Sequence, residues 1–454
     1  MTISPLDNRY KKYMGKLYKI FDEFYLTNLR LKLEIEWFKE IMKIRKISLN
    51  NQNLKFLNNI TEKFKKIDFI QIKKIEQKTN HDIKAIEYFL KEKLTNDQYL
   101  CKYKEYVHLG CTSEDINNLS YALIMFNTRR LILLPLMKKI IKNLYNISST
   151  HAHTCMIART HGQPATPTTF GKEMSNFAYR LTRQYNYFLQ TTIMGKFNGA
   201  VGNYNAISIC FPNINWEKIN KNFVEKFNLT WNPYTTQIEP HDWISEYCDI
   251  LIRFNTILIG LCRDCWSYSS IGYIKQLTKI DEVGSSTMPH KINPITLENA
   301  EGNLGISNSL LHHFSIKLPI SRWQRDLSDS TVMRNLGTAI GHSFLAYQLI
   351  ERWLNEFTLD TKKMKAELNE HWEILSEAIQ TILRISNINS PYEQLKNITR
   401  GNNINKQILH DYIKSLNIPV EIKQQLLQLT PENYMGYAPK LAILCRSRLK
   451  NLML

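Results

Sequence analysis

Proline removes a backbone donor and clashes with the preceding helical turn, so its positions limit where long helices can run. After Pro5 the next proline is Pro135, and none occurs from 168 to 211, from 241 to 288 or from 320 to 390. These gaps leave room for very long helices. Around the second gap the sequence reads EPHDWISEYCDILIRFNTILIGLCRDCW. Its apolar residues recur at Trp243, Ile244, Tyr247, Ile250, Leu251, Phe254, Ile257, Leu258 and Leu261, the three-and-four spacing of one helix face. Similar patterns run through FGKEMSNFAYRLTRQYNYFLQ and LGTAIGHSFLAYQLIERWLNEF. Strand signals are weak, with only six valines in the chain. The expected fold is all-α in three helical domains: 1–111, a central bundle of long helices over 112–354, and 355–454.

Composition narrows the function. With 454 residues, 43% apolar and 22% charged, the chain has the make-up of a soluble globular protein. Its net charge of +18 suggests a basic helical nucleic-acid-binding protein as a competing class. The lysines, however, are spread along the chain rather than clustered, which reads as compositional bias and argues against a nucleic-acid partner. Such a field also steers anionic substrates. The N-terminus MTISPLDNRYKKYMGK lacks the apolar core of a secretory signal, so the eight cysteines are expected to be reduced and the protein cytoplasmic. Cys262 and Cys265 form a lone C-x-x-C inside an apolar helical run, with no second pair to complete a zinc site, so no metal is expected. No apolar run approaches the roughly 18 residues a membrane span needs.

Four polar clusters interrupt the helical pattern. Thr79-Asn80-His81-Asp82 precedes a periodic run and reads as a capping box, with Thr79 and Asp82 three apart; the first turn would also favour an anion beside His81. Arg159-Thr160-His161-Gly162-Gln163-Pro164 reads either as a structural loop or as a loop presenting His161 as a general acid. Arg325, Ser330 and Arg334 are suited to gripping carboxylates or phosphates, although arginines on a solvated helix face are the commoner explanation of such a pattern. The fourth cluster, GSSTMPHKINP over 284–294, is loop-like in a helical region. Ser285 is not in a G-x-S-x-G elbow, which argues against a hydrolase nucleophile. A serine acting as base needs its alkoxide stabilised, and Lys291 supplies the charge.

These residues together resemble the fumarase/aspartase superfamily, whose signature is GSSxMPxKxNP. His290 before Lys291 resembles the adenylosuccinate lyase branch rather than fumarases or argininosuccinate lyases, which remain the alternative. TNHDIKAIEYFLKEK, CTSEDINNLS, RTHGQPATPTTFGKEM, NGAVGNYNA, WNPYTTQIEPHD and SRWQRDLSDSTVMRNLG are similar to the bacterial branch in the same order. The resemblance implies a homotetramer that shares a central helix bundle, with active sites formed where three subunits meet. It implies elimination of fumarate from adenylosuccinate, giving AMP, and from the succinyl-carboxamide imidazole nucleotide of purine synthesis, with no cofactor. Ser285 would take the proton from Cβ, and Lys291 and Asn293 would stabilise the resulting charge. His161 would protonate the leaving nitrogen with Glu298 orienting it, and His81 would support catalysis from the phosphate side. Arg9, Tyr10, Asn80, His81, Asp82, Thr112, Ser113, Gln237, Arg325, Ser330 and Arg334 match the substrate-binding positions. Asn8 stands where relatives commonly carry glycine.

Overall fold

The computed structural model describes residues 3–277, 286–400 and 404–450. The expected helices are present. The gap from 168 to 211 holds helix Phe170–Gln190, the gap from 241 to 288 holds the 29-residue helix Asp242–Ser270, and the gap from 320 to 390 includes helix Leu336–Trp353. At 1.5 Å per residue, Asp242–Ser270 is about 44 Å long. All nine residues predicted for its apolar face are buried, none more than 7% exposed. Cys262 and Cys265 lie on this helix, and burial raises both thiol pKa values, which keeps them protonated and inert. Among the described residues no helix is long and apolar enough to cross a membrane.

Pro135 sits near the start of helix Leu134–Thr150 without ending the helical run. The preceding Arg129–Leu133 forms a π turn, in which the Leu134 N–H donates to the Arg129 carbonyl five residues back. This wider turn accommodates a residue that cannot donate.

Among the described residues three small two-stranded pieces break the all-helical pattern: β1 (Cys155–Thr160) with β2 (Gln163–Thr169), β3 (Met194–Gly195) with β4 (Thr230–Trp231), and β5 (Ile274–Gln276) with β6 (Phe357–Leu359). The RTHGQPATP cluster is therefore a β-hairpin and not an irregular loop. Thr160 pairs with Gln163, and His161 and Gly162 form the two-residue turn at φ +54° and +77°. Two successive left-handed residues are what the right-handed twist of the strands requires, so a residue followed by glycine fits there.

The chain divides into two compact units, one of 1–135, 187–253 and 303–345, the other of 136–186, 254–302 and 346–454. In the first, helix Glu23–Ile44 supplies Leu31, Leu33, Trp37, Phe38 and Ile41 to the core, each at most 1% exposed. Trp37 packs its ring 4.3 Å from Phe197 and donates Nε1–H to the Leu109 carbonyl at 2.8 Å. In the second, Phe357 stacks on Trp353 at 4.8 Å and meets Phe170 edge-on at 6.0 Å. A separate apolar cluster there unites Trp372, Leu375, Ile379, Leu383, Leu409 and Ile413.

Gly171, in the first turn of Phe170–Gln190, fixes that helix beside Leu134–Thr150. A Cβ at Gly171 would lie 2.4 Å from the Ser148 carbonyl oxygen and 2.7 Å from that of His151. Backbone cannot swing aside as a side chain can. Gly171→Ala is expected to destabilise the protein by about 1–3 kcal/mol, measured by urea denaturation. Unchanged stability would show that the two helices move apart freely.

Candidate active site

The site in the first unit starts from a buried carboxylate. Asp115, in the first turn of helix Ser113–Thr128, is fully buried and accepts from the backbone N–H groups of Thr112 (2.8 Å), Asn198 (2.9 Å) and Gly199 (3.0 Å). Lys196, also fully buried, places Nζ 2.9 Å from the same carboxylate and donates to the Gly199 carbonyl. Asn118 holds the Lys196 backbone by accepting from its N–H (2.8 Å) and donating to its carbonyl (3.0 Å). The segment 196–199 is thereby bonded to the helix start that presents Thr112 and Ser113.

Glycines make the close approach possible. Gly195 faces Leu119 so closely that a Cβ would sit 2.4 Å from Cδ2, and a Cβ on Gly202, at φ +83°, would sit 2.2 Å from the Thr235 carbonyl oxygen. Beyond it, Gln237 donates from Nε2 to the Ala200 carbonyl and from its backbone N–H to the Gln324 carbonyl.

These elements surround a cavity of about 570 Å³. Of the predicted substrate-binding residues, His81, Asp82, Thr112, Ser113, Gln237, Arg325, Ser330 and Arg334 line it. The sequence reading missed Arg30, Asn117, Tyr121 and Asp329, which line it too. Arg30 sits mid-helix in Glu23–Ile44, where nothing local marks it. Its Nη2 lies 3.0 Å from Asp82 Oδ2. Burial pushes the Asp82 carboxyl up, but Arg30 and the Ile83 N–H together outweigh it and hold the pKa below the usual range.

The capping assignment needs correction. Thr79 ends helix Lys66–Thr79, Asn80 closes it at φ +51°, and His81 itself is the N-cap of helix Asp82–Leu94. His81 Nδ1 accepts from the Lys84 N–H at 3.2 Å. A ring nitrogen that accepts carries no proton, so the neutral ring keeps its N–H on Nε2, available to a ligand.

Asn80, Arg9 and Tyr10 do not line this cavity. Arg9 and Tyr10 immediately precede helix Lys11–Phe21, which lines a neighbouring cavity of about 630 Å³ through Lys11, Met14 and Tyr18; Arg334 lines both cavities.

Deeper in the same unit, Glu34, His108 and Cys111 bring potential ligand atoms within 4.8 Å of one another. His108 Nδ1 is only 2.6 Å from Glu34 Oε1, a direct hydrogen bond that leaves no room for an ion between them. Burial opposes a charge on His108, but the Glu34 carboxylate outweighs it and raises the pKa.

The second unit carries the other predicted residues. His161 stands exposed at the tip of the β1–β2 turn, and Arg159, two residues earlier, is bonded to Glu367. Glu298, in the first turn of helix Ile295–Lys317, accepts from Trp266 Nε1 at 2.9 Å. Among the described residues no ion pair joins Glu298 to His161. Lys291 is exposed and Asn293 half-buried in the non-helical stretch 286–294, as the two prolines predict. Ser285 lies outside the described residues.

Known proteins share this architecture. The chain matches the family model described as Lyase over residues 8–306 and the model described as Adenylosuccinate lyase C-terminal over 321–435. Among solved structures, 3-carboxy-cis,cis-muconate lactonizing enzyme from Pseudomonas putida superposes with a TM-score of 0.79 at 17% identity, covering 98% of this chain and 99% of that one. At that identity the likeness shows the fold alone. Adenylosuccinate lyase of Buchnera aphidicola subsp. Baizongia pistaciae is 51% identical over 442 residues, covering 97% of this chain and 96% of its own. That of Escherichia coli K12 is 45% identical over 441 residues, covering 96% and 97%. The chain belongs to the adenylosuccinate lyase family.

Removing one partner of a fully buried pair leaves an uncompensated charge. Lys196→Met is therefore expected to cost about 3–5 kcal/mol of stability, read by chemical denaturation. A loss below about 1 kcal/mol would mean that Asp115 is satisfied by its backbone donors alone.

Proposed function

We infer that this chain is a carbon–nitrogen lyase that cleaves adenylosuccinate to AMP and fumarate, and cleaves the succinyl-carboxamide imidazole nucleotide in the same way. The observation that supports the site is the convergence of eight residues named from the family resemblance, from segments as distant as His81 and Arg334, on one cavity that holds three arginines. Arginines offer paired donors to the carboxylates and phosphate of such a substrate. The net charge of +18 adds a steering field for an anion.

In the proposed reaction Ser285 removes a proton from the succinyl Cβ, and the electron pair moves onto the adjacent carboxylate. Lys291 and Asn293 donate to the aci-carboxylate so formed. As this collapses, the C–N bond breaks and His161 protonates the leaving nitrogen, so that fumarate and the nucleotide separate without a cofactor. Glu298 orients His161, and His81 supports the reaction from the phosphate side through Nε2.

Part of the proposal is a homotetramer with shared sites, in which the long helices of the middle segment 112–354 pack between the flanking segments 1–111 and 355–454. Tyr179, Tyr187, Trp266, Ile306 and Ile316 expose 43–56% of their surfaces along helices Phe170–Gln190, Asp242–Ser270 and Ile295–Lys317. Apolar side chains left open on long helices favour contact with further copies. A cytoplasmic location fits a reaction on free nucleotides.

The test is turnover of adenylosuccinate, followed by fumarate and AMP release. Ser285→Ala and His161→Gln should each lower kcat by about 10²–10⁴-fold. Mixing the two inactive variants through denaturation and refolding should restore activity, because some hybrid sites then draw both native residues from different subunits. Mixtures that stay inactive would overturn the sharing of sites. Full activity in Ser285→Ala would overturn the chemistry.

A further inference from the structure

His241 is a histidine in a place that suits glycine. Its φ is +67°, in the left-handed region that most side chains avoid, and it is only 2% exposed. Its backbone carbonyl starts helix Asp242–Ser270 by accepting from Ile244 and Ser245, a task that any residue performs. Glycine would do so without strain, so the side chain is what the position retains.

That side chain joins a buried line of charge. His241 Nε2 lies 3.3 Å from Asp329 Oδ2, and since a carboxylate only accepts, Nε2 is the donor. The same Oδ2 accepts from Arg325 Nη1 at 2.9 Å, while Asp329 Oδ1 accepts from the Ser330 N–H at 2.7 Å. On the other side, Glu239 accepts from the His241 backbone N–H at 2.8 Å and from Asn232 Nδ2 at 2.8 Å, and its Oε2 is 3.8 Å from His241 Nδ1. Glu239 and Asp329 are 2% and 3% exposed. Only Arg325 reaches the cavity wall from this line with a free edge: Nη2 donates to Glu114 and Ser330, each at 3.2 Å, which leaves Nε–H and one Nη1–H.

We propose that Glu239, His241 and Asp329 are positioning residues that fix the Arg325 guanidinium in the orientation that grips an anionic group of the substrate. The proposal rests on the lyase reading and extends it to residues whose part is to hold Arg325, with Asp329 at the cavity wall and Glu239 and His241 behind it. Without His241, Asp329 Oδ2 loses one of its two side-chain donors and is free to turn. Arg325 is then held chiefly by Glu114, at a longer distance and from another direction. The anionic groups of the substrate carry their charge before and during the reaction, so a misaimed Arg325 weakens ground-state and transition-state binding alike. Such a loss appears in KM and leaves kcat in place.

Full-length His241→Leu is expected to raise KM for adenylosuccinate about tenfold with kcat within about twofold, the signature of uniform binding. His241→Gln restores an N–H donor close to the place of Nε2 and should bring KM back to within about threefold. Calorimetric titration with AMP and with fumarate should show one of the two weakening in step with KM. Thermal melting of both variants checks that each is folded. An unchanged KM in a folded His241→Leu overturns the relay, as does a fall in kcat alone. Equal impairment in His241→Gln overturns it too, since packing volume would then be the cause. Unaltered protein that releases no fumarate sinks the lyase reading instead, an outcome distinct from these.

Discussion

The ion pair between Asp115 and Lys196 is the constraint on which the site in the first unit depends. Taking both charges out of water costs more than their attraction returns unless every remaining lone pair and proton finds a partner. Here three backbone N–H groups and one carbonyl supply those partners, so the pair can exist only when the helix start at Thr112 and the segment 196–199 are in register. An apolar pair of the same size would hold the two pieces together without specifying their register. The geometry of Thr112 and Ser113 is thus set by a hydrogen-bond count rather than by packing alone. The glycines at 195 and 202 then let neighbouring segments come within van der Waals contact of this knot.

Left-handed backbone recurs at three of the residues singled out above. Asn80, His161 and His241 all have positive φ, and each stands at a junction between regular elements. Regular helices send side chains along fixed directions. Redirecting one toward a cavity or into a buried network takes a residue that leaves the helical region, and asparagine and histidine tolerate this better than branched residues.

Much of this architecture was legible in the sequence because helices advertise themselves locally. The proline gaps mark their extents, and the three-and-four spacing of Trp243 to Leu261 marks the buried face. The β1–β2 hairpin was hidden because its strands are short and its sequence, RTHGQPATPTT, carries two prolines and no alternating apolar pattern; only the His161-Gly162 pair hints at the turn. The eight cavity residues were readable as motifs. Arg30 and Asp329 were not, because their roles arise from partners 52 residues away in Asp82 and 88 residues away in His241, separations that no local pattern encodes. The capping error at Thr79 has the same origin: Thr79 and His81 are both able to cap, and the left-handed turn at Asn80 decides between them.

The π turn at Arg129–Leu133 has a consequence for how this chain stores its own phase. Three turns of α-helix take up about 11 residues, yet the buried Met125 is followed three turns later by the buried Met137, twelve positions on. The extra residue is absorbed in the widened turn, so the apolar stripe after it runs one position late. A helical wheel drawn straight through 113–150 would therefore rotate every side chain of the second half by about 100°. π turns of this kind are frequently found at functional sites. Here the offset lies between the helix that carries Thr112 and Ser113 at its start and the helix that packs against Gly171, and it lets each keep its own buried stripe although the second carries a proline in its first turn.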